Sequence, residues 1–204
     1  MQDKNHWYDG WFYDRLIAPN QDRLFKTITG MIRPGSSVID IGCGTGRLCF
    51  KLSHKVGKIV GIDLSSINIL RAERRRARHK LEDVEFYHLD ARDVELNGNP
   101  KYDYAVFTYV LHEMSENDRI EALRRASKIA ETIIIGDYIY PHPKSFWGIL
   151  NIIVEYLAGR EHYNNFKNYI SQRGLPGLID RTDLRILEEI KNKPATSHLI
   201  KVGL

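Results

Sequence analysis

Four stretches of the chain carry side chains suited to chemistry, and three of them close an apolar run. The first reads Asp40-Ile41-Gly42-Cys43-Gly44-Thr45-Gly46 and spaces three glycines two residues apart. Glycines there let the backbone leave a strand tightly and approach a ligand with no Cβ in the way, while a helix beyond them offers unpaired N–H groups. The second is Asp63, 17 residues after Gly46 (63 − 46), at the end of the next apolar run. A carboxylate in that place accepts hydrogen bonds from vicinal ribose hydroxyls; its competing role is a helix N-cap, which Ser65 and Ser66 also supply. The third, YDYAVFTYVLHEMSE from Tyr102, puts Thr108 and Tyr109 at the end of a run and His112 and Glu113 just past it. A histidine with a pKa of about 6.5 can take a proton from a hydroxyl or amine at neutral pH, or simply pack at the start of the next helix. The fourth, GREHYNNF at 159–166, brings Arg160, His162 and Tyr163 together, as a substrate patch or as a surface loop.

A dehydrogenase-type G-x-G-x-x-G loop needs glycine at 47, where the chain has Arg47. The D-x-G-x-G-x-G form, with Asp63 and the pair Asp90-Ala91 after the third apolar run, instead resembles class I S-adenosylmethionine-dependent methyltransferases of the small-molecule type. The motifs cover roughly residues 36–140 and the layout covers the rest. The resemblance implies that S-adenosylmethionine is the cofactor and S-adenosylhomocysteine its product. It implies that Gly42, Cys43, Gly44 and Gly46 bear the methionine half, with Asp40 drawn toward the ammonium or else capping the turn. Asp63 and Leu64 then meet the ribose, Asp90 and Ala91 the adenine amino group, and Thr108 the cofactor side of the fourth strand. Residues after that strand line the gap to the acceptor, which makes His112, Tyr109 and His162 the catalytic candidates and Glu113, Arg160 and Tyr163 the substrate contacts.

Absences narrow the acceptor. The D/N-P-P-aromatic sequence of nucleic-acid amino methyltransferases is replaced by Thr108-Tyr109-Val110-Leu111. Both cysteines, Cys43 and Cys49, lie at the first run, far from where cytosine carbon-5 chemistry needs one. The Asp-Asn pair of metal-dependent catechol-type enzymes is Asp137-Tyr138 here. HEMSE is not HExxH, and no His/Cys group has zinc spacing, so no metal is expected. The reading is metal-independent methyl transfer to an oxygen, nitrogen or carbon of a small molecule. An RNA or protein methyltransferase, or a silent regulatory domain that binds S-adenosylmethionine, are the alternatives. The basic run RAERRRARHK at 71–80 is the one feature favouring nucleic acid, and on a helix it is more simply a solvated face.

These residues need strand ends to hold them. SVIDI, KIVGIDL, VEFYHLD, YDYAVFTY and TIIIGDY alternate with helical patterns near 45–55, 66–80 and 116–129, the last capped by Ser115. Strands apolar on both faces, alternating with helices, predict an α/β, doubly wound, mostly parallel seven-stranded sheet with helices on both faces. Helical segments near 144–158 and 164–173 follow. LRILEEI and SHLIKVGL around NKPAT then close the sheet as a C-terminal antiparallel hairpin. The whole of 1–204 reads as a single domain, with 1–34 as an N-terminal lid and helix and 141–175 as a helical insertion covering the substrate site. HWYDGWFY at 6–13 holds five aromatic rings within seven positions, and Tyr8 and Tyr13 are the pair expected to face the cofactor. Aromatic faces attract a sulfonium cation, although rings there also serve plain packing.

With 204 residues, 43% hydrophobic, 27% charged and a net charge of +4, the chain has the composition of a water-soluble globular protein. The longest apolar stretch, SFWGILNIIVEYLA, contains Asn151 and Glu155 and falls short of the roughly 20 residues that span a bilayer. No signal sequence precedes it, so a cytoplasmic monomer or homodimer with no membrane partner is expected, in line with two cysteines too close for a structural disulfide. The helix at 144–158 is expected to bury its apolar residues within the chain, with a dimer contact or a greasy substrate wall as the other readings.

Overall fold

The computed structural model describes residues 21–94, 102–192 and 195–204; Tyr8, Tyr13 and the rest of the N-terminal aromatic segment lie outside them. Seven strands form one sheet: β1 (Ser37–Ile41), β2 (Lys58–Asp63), β3 (Val84–His88), β4 (Tyr102–Thr108), β5 (Ala130–Tyr138), β6 (Arg185–Lys191) and β7 (Ser197–Gly203). Their order is β3-β2-β1-β4-β5-β7-β6. The first five pair in parallel, and β7 adds antiparallel to β5 and to β6. This is the doubly wound sheet with a C-terminal hairpin that the alternating pattern predicts.

Side-chain alternation along the central strands builds two cores. Ile39, Ile41, Ala105, Phe107, Ile133 and Ile135 point to one face, under α4 (Glu116–Ile129), α6 (Arg160–Ser171) and α7 (Gly174–Ile179). Val38, Tyr104, Val106 and Ile134 point to the other, under α1 (Asp22–Met31), α2 (Arg47–Leu52) and α3 (Ser66–His79). Burial on both faces is why these strands read as near-continuous apolar runs. The winding reverses between β1 and β4, and the crevice beyond their carboxyl ends is where an open α/β sheet takes its ligand.

Helix ends follow the capping residues. The Ser115 hydroxyl accepts from the Asp118 N–H and starts α4, and the Ser65 hydroxyl accepts from the Asn68 N–H and starts α3. Along α3 the basic run is a solvated face: Arg71, Arg74, Arg75, Arg78, His79 and Lys80 are exposed. Two local expectations change. The segment expected at 164–173 begins earlier, at Arg160, and the short helix α7, GLPGLI, follows it.

The second change concerns α5 (Phe146–Leu157), expected to bury its apolar residues inside the chain. Phe146, Trp147, Ile149, Ile153, Tyr156 and Leu157 are instead exposed, Phe146 at 73%. Only Gly148 and Glu155, seven residues apart and so on one face, are buried. Gly148 lies against the backbone of Pro143, where a Cβ would come within 1.9 Å of the carbonyl oxygen. The helix therefore turns a small and acidic stripe inward and its apolar side outward.

Candidate active site

The glycine loop leaves β1 with the backbone in the left-handed region at Gly42 (φ 76°), Gly44 (φ 55°) and Gly46 (φ 79°). A Cβ at Gly42 would stand 2.5 Å from Val110 Cγ2, and one at Gly46 would stand 2.6 Å from Phe86 Cζ. Both the torsions and the space therefore require glycine. The Gly42 and Cys43 N–H groups donate to the Ile62 carbonyl, at 2.8 and 2.9 Å, binding the loop to β2.

Asp40 is 1% exposed, and its Oδ2 accepts from the Cys49 thiol at 3.3 Å. Its Oδ1 has no hydrogen-bond partner among the described residues. Burial pushes this carboxyl up to about 7, against a lowering by the thiol. A buried acceptor with one oxygen unmatched, two residues before the first loop glycine, suits a cation. The alternative, a cap for the turn's N–H groups, falls to Asp63: its Oδ2 accepts from Gly44 N–H and its Oδ1 from Ser65 N–H, both at 2.8 Å. Asp63 thus joins the glycine loop to the start of α3. Carboxylate oxygens are acceptors only, the type that ribose hydroxyls donate to. Leu64 holds the adjoining turn through its carbonyl, 2.9 Å from His88 Nε2.

Asp90 is held by Arg92. Oδ1 accepts from Arg92 N–H (2.8 Å) and Nε (3.0 Å), Oδ2 accepts from Nη2 (2.6 Å), and the Arg92 hydrogen bond draws the carboxyl below its usual range. Ala91 is buried beside it. Cys43 is buried and free, its thiol pushed by burial up to about 11, so it packs rather than reacts. Thr108 ends β4 and is buried.

On the other side of Val110 the chain makes a 3-10 turn, Leu111–Glu113. Arg119 of α4, 2% exposed, clamps it by donating to the Leu111 carbonyl (2.8 Å), to Asn168 Oδ1 (2.8 Å) and to the Asn165 carbonyl (2.6 Å). Asn165 Nδ2 in turn donates to the Glu113 carbonyl at 2.8 Å. The turn so held presents His112, 2% exposed, with Nδ1 at 2.7 Å from Asp137 Oδ1. His112 Nε2 lies 3.5 Å from Glu155 Oε2, and His162 Nε2 lies 2.5 Å from the same oxygen. Glu113 Oε1 is 3.8 Å from His162 Nε2 and 4.0 Å from His112 Nε2. Tyr138 donates from its hydroxyl to Glu155 Oε1 at 2.7 Å. Burial opposes charge on His112, but the Asp137 and Glu155 carboxylates outweigh it and hold His112 well above the ordinary histidine range. Burial likewise opposes charge on Glu155, yet His112 and His162 hold it well below the carboxylate range.

The structure therefore gathers His112, Glu113 and His162 from two separate elements and leaves the other candidates apart. Tyr109 sits at a left-handed φ of 54° and donates its hydroxyl to Ser197 Oγ at 2.8 Å, toward the hairpin; burial pushes that hydroxyl up to about 12. Its ring meets Tyr138, with centroids 5.6 Å apart. Tyr163 packs on Tyr156 (5.5 Å), and Arg160 is exposed at the start of α6. Two residues of the cluster, Asp137 and Glu155, escape the sequence reading. A lone acid inside the apolar stretch 145–158, and another closing TIIIGDY, were the available signals.

Comparisons with known proteins give the family and the fold. Residues 32–158 match the family described as methyltransferase domain. The chain is 27% identical over 209 residues to the 2-phytyl-1,4-naphtoquinone methyltransferase of Trichormus variabilis, spanning 94% of this chain and 90% of that protein. It superposes on the magnesium protoporphyrin IX methyltransferase of Synechocystis, solved with bound S-adenosylhomocysteine, with a TM-score of 0.68 at 17% identity over 96% of this chain and 90% of that one. The N-methyltransferase NodS of Bradyrhizobium japonicum, with the same ligand, gives a TM-score of 0.65 at 16% identity over 96% and 91%. The residues present fit such a cofactor: the three glycines leave backbone room, Asp40 keeps one buried oxygen unmatched among the described residues, and Asp63 is fixed as an acceptor by two backbone N–H groups. The chain belongs to the methyltransferase-domain family and is an S-adenosylmethionine-dependent methyltransferase of the class I fold.

Proposed function

We propose that the protein methylates an oxygen, nitrogen or carbon of a small, apolar, ring-bearing molecule held at the carboxyl ends of β4 and β5 under the segment 141–175. One observation carries this reading. A polar cluster of His112, Glu113, Glu155 and His162 is set into aromatic walls, with the Tyr138 ring 4.8 Å and the Phe166 ring 6.3 Å from that of His112. An acceptor with an apolar ring and one polar atom matches such a site. The cluster also adjoins the donor side, since Val110, two residues before His112, closes on Gly42.

S-adenosylmethionine supplies an electrophilic methyl group on a sulfonium. What the chain's residues supply is placement, dryness and hydrogen bonds. Thr108 and Val110 separate the glycine loop from the cluster; His112, Glu113 and His162 orient the acceptor's polar atom; Tyr138 and Phe166 exclude water. The sequence relatives support a ring acceptor. Besides the Trichormus protein they include the demethylmenaquinone methyltransferase of Staphylococcus aureus, 29% identical over 126 residues, 57% of this chain and 50% of that protein. Nucleic acid is disfavoured because the basic face of α3 flanks β2 and β3, on the other half of the sheet from the cluster. Two free, buried cysteines suit a reducing, cytoplasmic setting for a monomer or homodimer.

Incubation with methyl-labelled cofactor and a panel of hydroxylated quinols, phenols, tetrapyrroles, transfer RNA and peptides tests the reading. Label is expected in an apolar ring compound, with His162→Ala lowering turnover while cofactor affinity stays within twofold. Label moving into RNA or peptide, or into nothing on a broad panel, overturns it.

A further inference from the structure

Four potential metal ligands converge from three separate elements: His112 and Glu113 from the 3-10 turn, Glu155 from α5 and His162 from α6. Ligand atoms of His112, Glu113 and His162 all lie within 4.8 Å of one another. Each imidazole Nε2 faces both carboxylates: His162 lies 2.5 Å from Glu155 Oε2 and 3.8 Å from Glu113 Oε1, and His112 lies 3.5 Å and 4.0 Å from the same atoms. Donors bonded at about 2.1 Å to one ion stand about 3.0 to 3.4 Å apart at right or tetrahedral angles. These four separations lie within about 0.6 Å of that range, so side-chain shifts of that order bring the atoms to coordinating distances.

The partners behind these atoms are those a metal centre needs. Asp137 Oδ1 holds His112 Nδ1 at 2.7 Å and leaves Nε2 facing the cluster. The same carboxylate accepts from the backbone N–H groups of His112 (3.2 Å) and Tyr138 (2.8 Å), so its own position is set. Tyr138 holds Glu155 Oε1 and leaves Oε2 facing inward. Such outer partners orient the ring and raise ligand basicity. Charge points the same way, since Asp137 and Glu155 are 0% and 3% exposed and Glu113 adds a third carboxylate beside them. A divalent ion taking the place of the proton on His112 would offset more of that negative charge.

We propose that His112, Glu113, Glu155 and His162 bind one divalent first-row transition-metal ion at the acceptor side of the site. Two imidazoles and two carboxylates suit Zn²⁺, Mn²⁺ or Fe²⁺ and disfavour Mg²⁺ and Ca²⁺, which take oxygen ligands. A six-coordinate ion held by four protein atoms keeps two positions for other donors, and an acceptor with one or two oxygens would fill them. The sequence spacing gives no sign of this set because its members span 50 residues, from position 112 to position 162. That last role rests on the cluster being the acceptor side; the binding of the ion does not.

The experiment separates the two. Full-length protein stripped with chelator is titrated with Mn²⁺ and Zn²⁺ by calorimetry, and Mn²⁺ binding is followed by electron paramagnetic resonance. One ion per chain is expected. His162→Ala and Glu155→Gln should weaken binding about 100-fold or more, and Asp137→Asn, acting through His112, about 10–100-fold. Cofactor affinity and circular dichroism should stay unchanged in each. Should the buried variants fail to fold, Glu113→Gln, whose side chain is 30% exposed, gives the same reading through a loss of affinity. No saturable binding, or binding unchanged in His162→Ala or Glu113→Gln, overturns the proposal. Full methyl transfer by metal-free protein would overturn the ion's role while leaving the proposed function intact.

Discussion

Asp40 shows how much of a residue's chemistry depends on what the fold does to it. Its place before the glycine loop is legible in the sequence, but its full burial against Cys49 is not, because that contact joins β1 to the helix nine residues later. Burial sets its pH behaviour. The unfolded chain releases the Asp40 proton near 3.8, whereas the folded chain holds it to about 7. Between those values the folded state binds more protons, so this group's contribution to stability is full below 3.8 and is lost as pH rises through about 7. A bound ammonium favours the charged carboxylate, so cofactor binding near pH 7 should release up to about half a proton. Calorimetry in two buffers of different ionisation enthalpy measures this, and an unchanged release in Asp40→Asn would refute the assignment. Gly42 makes the complementary case. Its role is legible because only backbone geometry is involved: Gly42→Ala must adopt φ near 76° and displace Val110. The variant should lose at least about 1–2 kcal/mol in denaturant unfolding and bind cofactor more weakly.

Elements divide by whether their pattern is local. The parallel strands β1 to β4 stand within about two residues of their sequence limits, because burial on both faces gives β1, β2 and β4 nearly continuous apolar runs and the edge strand β3 alternates apolar with polar. The helix α5 defeats the same logic, since an apolar run shows how much side chain is available for burial and not which face the fold will cover. Here the inward stripe is Gly148 and Glu155, and only the three-dimensional position of His112 and His162 explains why an acid faces in. The contrast predicts an asymmetry. Ile153→Gln, on the exposed face of α5, should change stability by no more than about 0.5 kcal/mol and reduce binding of an apolar dye. Ile134→Ala, at the centre of β5 and fully buried, should cost about 2–5 kcal/mol. A large loss at Ile153 would mean that the exposed face of α5 is covered by part of the chain. Arg119 belongs to this scale as well, because it fastens the Leu111–Glu113 turn to α4 and α6. Arg119→Ala removes three hydrogen bonds, leaving the Leu111 carbonyl only the Met114 N–H at 3.2 Å and taking the guanidinium from Asn168 Oδ1 and the Asn165 carbonyl. It should cost about 3 kcal/mol and impair methyl transfer more than cofactor affinity, in a comparison of kcat with the cofactor dissociation constant.

At the scale of the whole molecule, the proposed function has the reversal of winding between β1 and β4 separate two tasks. β1, β2 and β3 lead to Asp40, the glycine loop, Asp63 and Asp90, while the turn after β4, β5, α5 and α6 carry the cluster proposed to meet the acceptor. The division was legible as strand order, since each donor-side residue closes a run in sequence order. The acceptor side was legible only in part, because its cluster is assembled from residues 112, 113, 137, 155 and 162. A division of labour has a thermodynamic signature. Cofactor at about 100 times its dissociation constant stabilises the folded state by about 2.7 kcal/mol, or about 5–10 °C for a domain of this size. That stabilisation should not be spread evenly at the level of local opening. In hydrogen–deuterium exchange, S-adenosylhomocysteine should slow exchange at residues 41–48, 63–66 and 90–93, where backbone N–H groups form the cradle and its supports. Exchange in α5 and α6 should change little until a metal ion or acceptor is added, and should then slow at 112–114 and 155–166. Protection of α5 and α6 by the cofactor alone, with none at the glycine loop, would show that the two halves of the sheet do not divide the reaction in this way.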